Sequence, residues 1–272
     1  MQKCLLFLIL SFLSPSIYQP IYGQSFTSLS KDLVVDSWTN AGHWFTKPKE
    51  LRRSAIIGLG AVSLVSATMV WDEQIQPQLA LGTPSQSSVF SQISEPFGHP
   101  IKMGILALGT YYAAGYFENR NLQGASSAAL QAMLTGGIAA VTLKLLVHRV
   151  RPEEQLNFDP YQFNGASFSR DNLSFPSGHS TIAFALASSI ASFYEHDLRL
   201  AIPLYAVASL TAFQRIYDFK HWPSDVLAGA FLGAWIGTKV GNWQRTKNSP
   251  LRLSMSSNQW GGMALQANFK LD

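Results

Sequence analysis

Charge is scarce in this 272-residue chain, and cysteine is nearly absent. Asp, Glu, Lys and Arg make up 13% of the residues, about half the share of an ordinary soluble domain, while hydrophobic residues reach 47%. That deficit argues against a charge-covered surface and points toward lipid. The formal net charge of +4 is small, and the basic residues lie beside apolar segments rather than in a stripe with aromatics, which excludes nucleic acid as a partner. The one cysteine, Cys4, falls in a stretch that reads as a secretory signal: Lys3 begins it, residues 5–13 form an apolar run, and Ile21, Tyr22 and Gly23 precede a cleavage point before Gln24. A chain processed there holds no disulfide, no thiol nucleophile and no cysteine-bound zinc. No stretch reads as an interdomain linker, an internal repeat or a low-complexity tract, so one domain is expected.

What the chain does have is a succession of apolar segments, at residues 54–71, 101–117, 125–147, 181–194, 201–217 and 224–242. They read as six helices, giving an all-α, six-helix bundle. Several approach the ~20 residues needed to cross a bilayer, which favours a membrane-embedded protein, although their wealth of Ala, Ser and Gly leaves a soluble bundle open. The expected divisions are a signal at 1–23, a polar segment at 24–53 containing Trp38, His43 and Trp44, the helical domain at 54–246, and a tail at 247–272. In the tail, apolar and polar residues alternate on either side of Gly261 and Gly262, a pattern that fits a β-hairpin. The last helix carries Gly229, Gly233, Gly237 and Gly241 at four-residue spacing, a bare stripe on which a neighbouring backbone can pack closely.

Three stretches carry chemistry. The first ends the third apolar segment, where Lys144 and Arg151 stand seven residues apart, two helical turns, just before Pro152 stops the helix. Two cations on one face suit a phosphate, and basic residues snorkelling to a membrane interface would give the same pattern. The second stretch, Pro176-Ser177-Gly178-His179, opens the fourth segment; a helix start with glycine lets backbone N–H groups approach an anion, with His179 at its edge. A capping turn with an incidental histidine is the alternative. In the third stretch His221 precedes Asp225 by four residues across a helix start marked by Pro223 and Ser224, so the carboxylate can hold one imidazole nitrogen while the other faces a cleft. A histidine held by aspartate for structural reasons would look alike. In an alternating bundle all three stretches fall at one end, which favours a single phosphate pocket.

Taken together, these stretches resemble the type 2 phosphatidic acid phosphatase superfamily, whose signature is Lys-x6-Arg-Pro, then Pro-Ser-Gly-His, then Ser-Arg-x5-His-x3-Asp. Lys144 to Pro152, Pro176 to His179, and Arg215, His221 and Asp225 meet it in order and spacing; the one departure is Gln214 in place of the serine. The resemblance implies a phosphatase in which His221 attacks phosphorus, Asp225 orients it, and His179 protonates the leaving oxygen and then activates water. It further implies that Lys144, Arg151, Ser177, Gly178 and Arg215 hold the phosphoryl oxygens, with no metal and no cofactor. His148, one turn from Lys144, reads as structural.

The expected substrate is a lipid phosphate, such as phosphatidic acid, a polyprenyl pyrophosphate or a lipid A phosphate, with the loop at 153–175 (Phe158, Tyr161, Phe163, Phe168) as a lid on its non-phosphate part. A soluble periplasmic acid phosphatase is the main alternative, and an anion transporter a weaker one, because the charges cluster at helix ends rather than in mid-membrane. Lys47, Lys49, Arg52 and Arg53 before the first helix, with Lys239, Arg245 and Lys247 at the last, place both flanks in the cytoplasm and the site outside. Export at residue 24 followed by six spans gives the reverse. The adopted reading is a bacterial envelope membrane protein with a periplasm-facing site, in which segment 54–71 packs on the bundle without crossing.

Overall fold

The computed structural model describes residues 48–79, 88–154, 159–169, 171–248, 251–257 and 263–269. The signal reading, Trp38, His43, Trp44 and Phe158 lie outside the described residues. Helix α1 (Pro48–Val70) turns at Trp71 into short α2 (Asp72–Leu79). Helix α3 (Val89–Ser94) runs into a 3-10 turn (Glu95–Gly98), followed by α4 (Pro100–Tyr116), α5 (Arg120–Val147), α6 (Gly178–Phe193), α7 (Leu198–Tyr217) and α8 (Pro223–Asn248). All six expected segments are helical. Helices α2 and α3 were not anticipated: each is only two turns or less, and α2 (Asp-Glu-Gln-Ile-Gln-Pro-Gln-Leu) is polar with Pro77 inside, so neither carries an apolar period. Strands β1 (Leu251–Ser257) and β2 (Met263–Phe269) pair antiparallel, Leu251 opposite Phe269, as the alternation in the tail implied.

Local chemistry sets the helix ends. Asn119 accepts the Leu122 N–H to start α5, Ser177 accepts from Ser180 to start α6, and Asp197 accepts from Arg199 to start α7. Helix α5 does not run on to Pro152, as the spacing of Lys144 and Arg151 suggested. His148 takes a left-handed conformation (φ 43°) and ends the helix there, a conformation that histidine tolerates better than most side chains.

Helices α5, α6 and α8 form the centre, packed through small residues: Ala125, Ala128, Ala132 and Ala185 with Phe193, Ile236 and Val240. Helix α7 packs on the other side of α6 through Ala183, Ala187 and Ala208, and α4 packs against α5. The interior is unusually polar, with Thr181, Ser188, Ser189 and Ser192 of α6 buried, whereas large apolar side chains face outward on α1, α4, α5 and α7, among them Leu59, Ile105, Ile138 and Ile202 at 61–69% exposure. Among the described residues, two helices, Leu51–Val70 and Arg120–Val147, are long and apolar enough to cross a membrane.

The glycine stripe of α8 lies on α6. A Cβ added at Gly229, Gly233, Gly237 or Gly241 would fall 2.4, 2.3, 2.4 and 2.3 Å from the carbonyl oxygens of Ser177, Thr181, Ala185 and Ser189 respectively. The two backbones therefore touch along four turns, and backbone cannot give way as a side-chain tip would. Gly233→Ala gains about 1 kcal/mol of helix propensity but forces overpacking that costs about 1–3 kcal/mol or more, so the thermal midpoint falls. Gly109→Ala in α4 meets nothing within 4 Å and serves as the control that holds or raises the midpoint. Equal midpoints for the two variants in the same detergent would rule out the close contact.

Candidate functional site

His221 sits in the short loop between α7 and α8. The loop folds back over the end of α7: Phe219 adopts φ 59°, and the Lys220 and His221 N–H groups both donate to the Arg215 carbonyl, at 3.0 and 3.2 Å. This brings His221 directly above Arg215, almost fully buried. Its Nδ1 faces inward, 3.8 Å from Asp225 Oδ2 and 3.4 Å from Ser174 Oγ, while Ser174 donates its hydroxyl proton to Asp225 Oδ2 at 2.5 Å. The direct His–Asp distance is wider than a hydrogen bond, so Ser174 is the nearer partner of Nδ1 and couples it to the carboxylate. Nε2 is left for the cleft. Burial pushes the His221 imidazole well below its ordinary pKa despite Asp225, and Lys144 and Arg215 act in the same direction, so the ring is neutral at pH 7.

Asp225, on the first turn of α8, is held from three sides. Oδ2 also accepts the Trp222 N–H at 3.0 Å, and Oδ1 accepts Arg149 Nη1 at 2.6 Å. Arg149 is the hub that the sequence reading passed over. It is wholly buried, donates to Asp225, to Ser224 Oγ (2.7 Å), to Asp72 Oδ2 (2.8 Å) and to the Pro160 carbonyl, and lies over the Phe163 and Trp222 rings, 5.3 and 5.5 Å from their centroids. Asp72, from α2, in turn accepts the Ser224 N–H at 2.9 Å and so caps the start of α8. The only local signal was that Arg149 stands inside the first motif stretch, in a chain poor in charge; nothing near Asp72 marked it.

The cations converge as expected, by a different route for Arg151. Lys144 donates to the Leu173 and Ser174 carbonyls and lies beside Gly178, where an added Cβ would be 3.7 Å from its Cε. Arg151 arrives from the turn after α5, 3.5 Å from Glu153. Arg215 is 7% exposed, its Nη1 reaches only Gln214 Oε1 at 3.5 Å, and its buried Nε has no partner. Lys144, Arg151 and Arg215 lie close enough to repel one another. Gln214, the departure from the family pattern, also donates to Asp218, so it ties Arg215 to that carboxylate.

At the start of α6, Ser177 Oγ accepts from the Ser180 N–H at 3.5 Å and from the Ser180 hydroxyl at 3.0 Å, which leaves its own proton to donate. The Gly178 and His179 N–H groups belong to the same first turn, where no helical carbonyl precedes them. His179 Nε2 lies 3.5 Å from Glu95 Oε1. His148 is buried, its ring nitrogens 3.0 and 3.1 Å from the Leu145 and Ser169 carbonyls, and takes no part in the cluster. A cavity of about 280 Å³ borders Arg215 and is lined by Glu95, Lys102, Gln214 and Asp218. In the loop after α5, Phe168 is 95% exposed, with Tyr161 and Phe163 partly so.

Comparison with known proteins places this arrangement. The chain is 41% identical over 71 residues to a lipid A 1-phosphatase of Porphyromonas gingivalis, covering 26% of this chain and 16% of that protein. It is 33% identical over 99 residues to a lipid A 1-phosphatase of Rhizobium johnstonii, covering 36% and 39%. The chain thus spans well under half the length of these relatives. A transmembrane PAP2 type phosphatidylglycerolphosphate phosphatase from Bacillus subtilis shares the fold, with TM-score 0.51 and 22% identity over 81% of this chain and 98% of that one. The PAP2 superfamily model matches residues 126–249, which take in every element of the cluster from Lys144 to Asp225.

Proposed function

We propose that this chain is a metal-independent phosphatase that removes phosphate from a lipid phosphate through a phosphohistidine on His221. The observation that carries the reading is the pairing of an under-bonded, buried Arg215 with a neutral His221 directly above it. A buried guanidinium nitrogen without a partner, such as Arg215 Nε, is costly, and a phosphoryl group can supply the missing acceptor. In the proposed reaction Lys144, Arg151, Arg215, the Ser177 hydroxyl and the Gly178 N–H hold the three phosphoryl oxygens, and the charge that builds in the transition state is met without a metal ion. His221 Nε2 attacks phosphorus while Asp225, with Ser174, steadies the Nδ1 proton. His179 gives a proton to the leaving oxygen, then takes one from the water that attacks the phosphohistidine.

The lipid setting is supported by the outward apolar side chains on α1, α4, α5 and α7 and by the activities for which the relatives are named. The site is proposed to face the periplasm of a bacterial envelope, with α1 lying along α8 and the exposed loop aromatics Tyr161, Phe163 and Phe168 meeting the non-phosphate part of the lipid. Purified protein in detergent micelles is expected to release phosphate from a lipid phosphate in the presence of chelator, and to be inhibited by vanadate, which takes up the five-coordinate geometry of the displacement. Loss of activity with chelator and its return with magnesium would sink the mechanism. Activity found wholly in the soluble fraction would instead favour a soluble periplasmic acid phosphatase.

A further inference from the structure

The 3-10 turn Glu95–Gly98 is wedged against the start of α6. Thr211 of α7 donates to the Ser94 carbonyl at 3.2 Å. Gly98 leaves no room for a side chain: a Cβ would stand 2.7 Å from Thr211 Cγ2 and 2.8 Å from His179 Cβ. The turn is therefore held at a fixed distance from His179, and the residue it presents there is Glu95. One carboxylate oxygen is bound by Lys102 Nζ of α4 at 2.6 Å; the other lies 3.5 Å from His179 Nε2, which is buried and has no hydrogen-bond partner. The other charged or titratable groups facing His179 are Arg215 of α7 and His99, whose ring meets it edge-on at 6.1 Å between centroids. The His99 Nδ1 is occupied with the Ile101 and Lys102 amides. Among the described residues, Glu95 is thus the one anion beside a histidine that also faces Arg215.

We propose that Glu95 is a positioning residue for His179, holding its Nε2 proton so that Nδ1 is the nitrogen that exchanges a proton with the leaving oxygen. Lys102 fixes one oxygen of the carboxylate and leaves the other aimed at His179. The site then has two carboxylate–histidine pairs with different tasks: Asp225 serves the nucleophile, and Glu95 serves the acid. The acid step starts from imidazolium His179, which takes its second proton on Nδ1 as the phosphate enters beside it. Nδ1 then loses that proton to the departing alkoxide and the ring becomes neutral, keeping Nε2–H on Glu95; in the second step Nδ1 takes a proton from the attacking water and the imidazolium is restored. This rests on the reading of His179 as the acid proposed above.

The test compares Glu95→Gln, Glu95→Asp and His179→Ala with the unaltered protein in the same micelles, using p-nitrophenyl phosphate and a long-chain alkyl phosphate. The quantity read is kcat/KM, which covers steps through phosphoryl transfer to His221. An aryl oxide leaves with little help, whereas an alkoxide needs the proton. Glu95→Gln is expected to lower kcat/KM for the alkyl ester roughly tenfold more than for the aryl ester, in the direction of His179→Ala but smaller, with Glu95→Asp recovering part of the loss. Glu95 is partly exposed, so the thermal midpoint of the Gln variant should stay at the unaltered value. Equal losses on both esters would reduce Glu95 to a structural role and overturn the proposal. If His179→Ala itself fails to separate the esters, the assignment of His179 as the acid falls, and Glu95 with it; if only Glu95→Gln fails to separate them, His179 stands and Glu95 alone is wrong.

Discussion

A His221→Ala protein mixed with labelled aryl phosphate is expected to carry no phosphoenzyme, and its turnover is expected to fall by roughly 10⁴-fold or more, because the proposed nucleophile is gone. His179→Ala should behave in the opposite way. It keeps the nucleophile, so an aryl phosphate still phosphorylates His221, and it lacks the base that activates water, so the intermediate accumulates. Quenching without acid should trap acid-labile phosphohistidine in the His179 variant and none in the His221 variant. The burial of His221 adds a sign to this experiment. Its pKa is depressed, so the attacking nitrogen stays unprotonated as pH falls through 6.5, and phosphoenzyme formation should persist below that value before acid finally protonates the ring. Label found on His179, or near-normal turnover without His221, would reverse the roles.

The second large effect is expected at Arg149, which touches no substrate. Arg149→Ala leaves Asp72 and Asp225 buried beside each other with no cation between them. Removing one partner from a buried ion network costs about 3–5 kcal/mol, a large part of the stability of a typical domain. The variant is expected to unfold at a much lower temperature or fail to accumulate. Arg149→Lys keeps the charge but replaces a planar fork that reaches four acceptors by a single ammonium. It should fold with a lowered midpoint and, since Asp225 loses its fixed position, lose activity on aryl and alkyl esters alike. An Arg149→Ala protein with an unchanged midpoint would show that the network is dispensable.

The contrast between His221 and Arg149 marks what could be read along the chain. The helices of the bundle announce themselves through length and apolar content, and the cations and histidines near their ends are conspicuous in a chain that is only 13% charged. Groups that act through one another are not visible in this way. Asp72 and Arg149 are 77 residues apart, and Asp72 belongs to a two-turn polar helix with no apolar period to betray it. Glu95 lies 84 residues from His179, in a 3-10 turn too short for any pattern. For Arg151 the helical spacing from Lys144 was taken as the cause of its placement, whereas His148 ends the helix and a turn delivers the guanidinium. The glycine stripe was legible because close backbone approach has only one residue that permits it.

That stripe has an electrical side. Gly229 lies over Ser177, Gly233 over Thr181, Gly237 over Ala185 and Gly241 over Ser189, so α6 and α8 run parallel and in step, with both amino-terminal ends at the phosphate pocket. Two aligned helix dipoles held in backbone contact repel each other, most strongly where their positive ends meet. Asp225 answers part of that field at the start of α8, and the three cations add to what remains. If the proposed function holds, a phosphate dianion bound between these helix ends would offset a repulsion built into the helix pair itself.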